Sequence, residues 1–266
     1  MIVALLLLAP LYPWLDSGAH ESIEARIAAP PGFRRVPAAP GSFAQWLRGL
    51  PAKPGRPPVL LFDGRLKGNQ TAHHLVLDVD VGARDRQQCA DAVIRLRAEY
   101  LRAAGADDRI SFQFTNGTPA RWSDWKKGMR PRFHGNQVSW EKRATPDSSY
   151  ASFRRYLDLV FDYAGSFSLS RELERVPDSR RIQGGDVFIQ GGFPGHAVLV
   201  VDVAEDARGR RAVLLAQSYM PAQEIHVLRN PRTPDSPWYV IDGDGPLMTP
   251  EWTFPPRSLR RARPIT

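Results

Sequence analysis

One cysteine, one histidine opening an apolar run and one glutamine closing another are the residues whose types and placement could do chemistry here. Cys89 is the only cysteine of the 266 residues, so no disulfide can form within the chain. Asp85 offers an N-cap for a helix over 86–104 closed by Gly105, which puts Cys89 in its first turn. There the partial positive charge of a helix N-terminus favours a thiolate, and Gln87 or Gln88 could donate an amide hydrogen to an oxyanion. The competing reading is equally concrete: Cys89, Val93, Leu96 and Tyr100 share one apolar stripe, where a thiol is inert core. His196 follows Gly195 and opens HAVLVVD. Glycine leaves a ring at a sheet rim accessible, and an ordinary imidazole pKa near 6.5 suits a general base; the alternative is a structural histidine bonded at a strand end. Gln217, on the following strand (LLAQSY), could orient that ring or donate to an oxyanion. Cys89, His196 and Gln217 together spell thiol attack on a carbonyl.

Other constellations point elsewhere. Asn116, Trp122, Trp125, Arg130, Arg132 and Trp140 lie in an aromatic and basic stretch that could stack on and hydrogen-bond a sugar or peptide, or could instead anchor a long loop. His73 and His74 are adjacent in a strand and face opposite ways, so they cannot share a metal. With no HxxxH or CxxC spacing and no Gly-rich phosphate loop, no metal, nucleotide or other cofactor is expected. Asp78 and Asp80 are expected to face solvent or pair with arginines, and Asp186 to cap a turn.

The elements that must position these residues are legible from periodicity. HHLVLDVDV (73–81) alternates as a strand, ISFQFT (110–115) is a second, and Asn116-Gly117 turns after it. A helix is predicted from Ser148 or Ser149 to Ala164-Gly165. Strands at 186–190, 197–203, 212–217 and 224–229 have the spacing of an antiparallel meander, with a hairpin at Arg208-Gly209-Arg210. Residues 28–58 are rich in proline and should wrap the surface, with one short helix over Ser42–Leu50. The chain therefore reads as α+β: an apolar N-terminus (1–15), a Pro/Gly-rich extension (16–58) and one α+β domain (59–266). The run Ile2–Ala9 has the length of a secretory h-region, read as a truncated or mis-started signal or else as a buried segment. No stretch approaches the roughly 18 apolar residues that a membrane span requires.

Charge adds little. Lys and Arg number 36 against 28 Asp and Glu, a net +8. The arginines are scattered, which is weak evidence for an anionic partner (nucleic acid, an anionic polymer or a membrane surface), with nucleic acid not expected.

The order of YASFRRYLDLVFDYAG, then GGDVFIQ, then GHAVLVVD resembles the core of papain-like cell-wall peptidases of the NlpC and CHAP kinds. That resemblance implies antiparallel strands packed with helices, a cysteine beginning a helix, and the histidine of the second strand as its base. Counting back from Ala164-Gly165 puts the nucleophile at Ser152 or Phe153, where there is no cysteine, so Cys89 or the Ser152 hydroxyl would have to serve. Over residues 12–260 the chain also resembles a family of bacterial secreted or lipoprotein-like proteins, domain of unknown function 4846. The blocks that carry it are DGRLKGNQ, QQCADAVIRLRAEYL, GDVFIQGGFPGHAVLVVD and LLAQSYMPAQEIHVL. Taken together, the expectation is a secreted or periplasmic thiol hydrolase or amidase of the cell envelope, acting on cell-wall peptide or glycan. The alternative is an inactive peptidase-like fold that binds an envelope polymer or protein.

Overall fold

A computed structural model describes residues 11–15 and 20–263; the apolar run Ile2–Ala9 lies outside the described residues. Among the described residues there are six α-helices and a nine-stranded antiparallel sheet with small hairpins around it, a mixed α+β architecture. The helices are α1 (Ile23–Arg26), α2 (Phe43–Arg48), α3 (Cys89–Ala103), α4 (Trp122–Lys126), α5 (Tyr150–Tyr163) and α6 (Ser166–Glu172). The sheet strands are β1 (Phe33–Arg35), β2 (His73–Val76), β3 (Glu174–Arg175), β4 (Val187–Gln190), β5 (His196–Asp206), β6 (Arg211–Gln217), β7 (His226–Leu228), β8 (Tyr239–Ile241) and β9 (Leu259–Arg261). Their order is β2-β7-β6-β5-β4-β9-β3, with β8 on β6 and β1 on β5.

The predicted meander is the middle of this sheet. Eleven-residue β5 pairs β6 on one side, while β4 and β1 share its other edge at opposite ends. Gly209 makes the β5–β6 turn at φ 75°, a conformation glycine adopts without strain. Alternation along β5 divides the core. Ala197, Leu199 and Val201 pack with the helices, whereas Val198, Val200 and Val203 pack on the opposite face with Phe254, Tyr239 and Leu259. The predicted 148–165 helix is α5, capped by the Ser149 hydroxyl. Asn116-Gly117 turns the hairpin of Ser111–Gln113 with Pro119–Arg121 as expected.

Two expectations are corrected. The 28–58 stretch is no surface wrap: β1 joins the main sheet, and Trp46, Leu47 and Leu50 enter the core. The reason is that α2, capped by Ser42, carries the apolar residues inward, while the prolines other than Pro51, which pairs with Ser22 in a two-residue strand, stay outside the regular elements. Helix α3 also begins three residues later than predicted, because Asp85 caps no helix. Its Oδ1 instead accepts from the Ala222 amide (2.7 Å) and the Gln88 side chain (3.0 Å). Asp91 supplies the cap by accepting from the Gln88 amide at 3.0 Å, which leaves Cys89 as the first helical residue.

Candidate active site

Helix α3 lies against β5 with Val93 and Leu96 in the core, so its N-terminus meets the end of the sheet where β5 starts. At that end Cys89 is half-buried. Burial pushes its thiol up to about 11, and the nearby Asp91 carboxyl adds to the rise. The neighbouring backbone amides of Ala197 on β5, and of Ala90 and Cys89 in the helix itself, oppose this rise. The thiol therefore sits against the peptide group that follows His196.

His196 is 1% exposed, with its ring enclosed by Tyr219 (4.8 Å between centroids), Trp252 (5.3 Å) and Phe254 (5.7 Å). Its Nε2 is 2.9 Å from Gln217 Oε1. Burial drives its pKa down to about 4, opposed by that bond, so the ring is neutral at pH 7. The Gln217 amide nitrogen donates to Glu251 Oε2 at 2.7 Å and lies 3.4 Å from His226 Nε2. Glu251 also pairs with the buried Lys67 ammonium, which donates in addition to the Asn69 carbonyl (3.0 Å). His226 Nδ1 is 2.9 Å from the Glu224 carbonyl, and burial lowers the pKa of His226 to about 3.

A cleft of about 380 Å³ opens beside Cys89. It is bounded by the first turn of α3, by Gly165–Phe167 at the α5–α6 junction, by the Gly192–Gly195 loop, and by Met220. Phe193 and Met220 stand on its rim at 92% and 61% exposure, unusual for such apolar side chains. Gly195 and Cys89 line this cleft, whereas His196 does not.

Of the three residues read as a thiol site, His196 and Gln217 are hydrogen-bonded, and Cys89 lies beside the peptide next to His196. The other predicted contributors are elsewhere. Trp122 is fully buried and Trp125 nearly so, packed on Phe153 and Tyr156 of α5, because this stretch folds as a helix with both indoles inward. Arg130 lies over the Trp125 ring (3.7 Å) and donates to the Trp125 and Met129 carbonyls. Asn116 donates to the Asn136 carbonyl at 2.7 Å. These four are loop anchors and do not line the cleft. The Ser152 hydroxyl is buried and accepts from the Trp125 indole, so it is no nucleophile. Gln87 donates weakly to the Asp80 carbonyl (3.4 Å) and accepts from Arg95, while Gln88 donates to Asp85, which engages both proposed oxyanion amides. Asp80 pairs with Arg95 and Arg154, and Asp186 accepts from the Gln183 amide and from Arg261, both in line with the sequence reading.

Sequence reasoning missed Lys67, His226 and Glu251. No spacing rule links three such distant positions, and only alternation on β7 could have placed His226 on the Gln217 face. Among the described residues no helix is long and apolar enough to cross a membrane.

No curated protein and no solved structure matches this chain. The family model described as "Domain of unknown function (4846)" matches residues 23–261, which span the whole of this sheet and its helices, and the chain belongs to that family.

Proposed function

We propose that this protein is a papain-like thiol hydrolase or amidase of the bacterial cell envelope, with Cys89 as nucleophile, His196 as base and Gln217 as the group that orients the ring. The observation that carries this reading is that the chain's one cysteine is the first residue of the helix packed on the sheet, with its sulfur against the amide of Ala197. The likeness to NlpC and CHAP peptidases then runs through α3 instead of α5: a cysteine begins a helix, and a histidine begins the second strand of the meander. The Cys89 proton passes to His196 Nδ1 as sulfur attacks the carbonyl carbon of an amide. The C–N bond breaks, the leaving amine takes the proton, and a thioester remains. Water, deprotonated by the same nitrogen, hydrolyses the thioester and restores the thiol. In this reading the Cys89 and Ala90 amides, which lie beside the sulfur, receive the oxyanion, since a helix leaves its initial N–H groups without intrahelical partners. Exposed Phe193 and Met220 favour a peptide or amide with an apolar side chain beside the scissile bond. The envelope setting, secreted or periplasmic, rests on the Ile2–Ala9 run.

The pH dependence of iodoacetamide labelling tests the pairing. A thiol coupled to His196 reacts at neutral pH with a rate that levels off well below pH 11, and His196→Ala slows it at least tenfold. A solitary thiol near 11 instead labels ever faster with pH, about tenfold per unit, with no effect of His196→Ala. That second profile sinks the enzyme. It would favour a binding module on the same fold, a reading supported by His196 being fully buried and outside the cleft lining.

A further inference from the structure

Gln217 has one acceptor oxygen and two N–H donors, and every one of them faces a different partner. Glu251 Oε2, 2.7 Å away, belongs to a carboxylate already paired with Lys67, and a carboxylate only accepts. The NH₂ end of Gln217 must therefore face Glu251, and its oxygen must face His196 Nε2 at 2.9 Å. An oxygen there requires the proton of His196 on Nε2, which leaves the lone pair on Nδ1. His226 fits the same assignment independently. Its Nδ1 faces the Glu224 carbonyl at 2.9 Å, which only accepts, so that nitrogen carries hydrogen and Nε2 is free to receive the second Gln217 N–H at 3.4 Å. One amide thus holds two neutral histidines in opposite tautomers, and it cannot flip without setting its oxygen against the Glu251 carboxylate.

We infer that Glu251, clamped by Lys67, is the positioning residue that fixes the tautomer of His196, so that Nδ1 and not Nε2 is the basic nitrogen. Lys67 is 95% removed from solvent on its side chain and is held by the Asn69 carbonyl as well, so the ammonium is fixed at two points away from bulk water. Neither residue touches the cleft beside Cys89. The assignment of the basic nitrogen deepens the hydrolase reading and gains catalytic meaning only with it. The tautomer itself can be read without any substrate.

The test is imidazole ¹⁵N NMR on the full-length protein, histidine-labelled, at pH 7. The unmodified protein is expected to show protonated-nitrogen character at His196 Nε2 and lone-pair character at Nδ1. The opposite pattern overturns the inference even if no variant folds. The Lys67→Met/Glu251→Leu double variant removes the pair without stranding a buried charge. It frees Gln217 to flip and should convert His196 to a tautomer mixture, with iodoacetamide labelling of Cys89 slowed about tenfold or more, the scale on which groups that orient a functional histidine act. A tautomer that stays unchanged in the double variant overturns the role of Glu251, whatever the thiol does. A changed tautomer with unchanged labelling supports the role of Glu251 and counts against the pairing of thiol and imidazole, so the two ideas fail separately.

Discussion

At the scale of single residues, this protein holds titratable groups out of water in opposite senses, and their linkage to folding can be separated by sign. His226 has a folded pKa of about 3, below the roughly 6.5 of an unfolded chain, so the unfolded state binds more protons between those values. Its contribution is present in full above pH 6.5 and is lost as pH falls toward 3. Glu172 is the reverse, since burial raises it to about 7 while the Gln113 amide and Arg97 oppose. It weakens the fold above pH 7, and that penalty disappears as pH falls through 7 toward its unfolded value near 4.5. Urea unfolding of His226→Phe should accordingly show a stability difference from the parent that changes by about 3–5 kcal/mol between pH 7 and pH 3. Glu172→Gln, which keeps an acceptor for the Gln113 amide, should stabilise by about 1–3 kcal/mol at pH 8 and by nothing measurable at pH 4.5. If both differences are flat with pH, the burial assigned to these groups is wrong. Neither group was visible in the sequence as special. A buried histidine and an exposed one have the same letter, and only tertiary packing distinguishes them.

At the scale of elements, strands were the most legible parts of the chain because a two-residue period survives any context in which one face is buried. All four predicted strands of the meander are present, whereas the strand predicted over 73–81 ends at Val76; Leu75, Leu77 and Val79 are buried, but so is Val76, so alternation holds there only in part. Helix boundaries were less legible. Asp85 has the chemistry of a cap, but its carboxylate is used to tie the 220–222 turn to the entry of α3. That is a long-range use which no local rule anticipates. The same displacement moved Cys89 from the fourth helical position to the first, where its sulfur can reach three amides. The loop before β5 is equally constrained. A Cβ on Gly195 would lie 2.2 Å from the Ser166 hydroxyl, 2.5 Å from the Gly192 carbonyl and 2.8 Å from the Gln190 carbonyl, and the two carbonyls are backbone. Gly195→Ala should therefore cost about 2–3 kcal/mol of stability and shift the start of β5. Under the proposed mechanism it should lower Cys89 labelling as His196→Ala does. Alanine tolerated with unchanged melting and labelling would mean this loop does not position the histidine.

At the scale of the whole molecule, what the sequence could not reveal is that residues 20–58 contribute to the fold's interior. Asp202 makes the connection. It is fully buried on β5, at the register irregularity between Val200 and Asp202, and its two oxygens receive Arg35 of β1 and Arg48 of α2, each at 2.7 Å. Arg48 also donates to the Val36 carbonyl at 2.9 Å, and Arg35 to that of Ile27, so both guanidiniums are held on two sides. A surface pair would contribute little, but removing one partner of a buried pair strands the other charge, at about 3–5 kcal/mol. Asp202→Asn keeps size and an acceptor yet leaves two guanidiniums facing a neutral amide. It should lower the urea stability by that amount, while Arg35→Met/Arg48→Met/Asp202→Leu, which strands nothing, should recover most of it. Because Trp46 of α2 and the apolar face of α3 share one core, unfolding followed by tryptophan fluorescence and by Cys89 accessibility should give one midpoint in both variants. Two separated transitions, with residues 20–58 released first and the sheet persisting, would show the proline-rich segment to be an appendage. Asp202 would then be a fastening on a domain that stands without it.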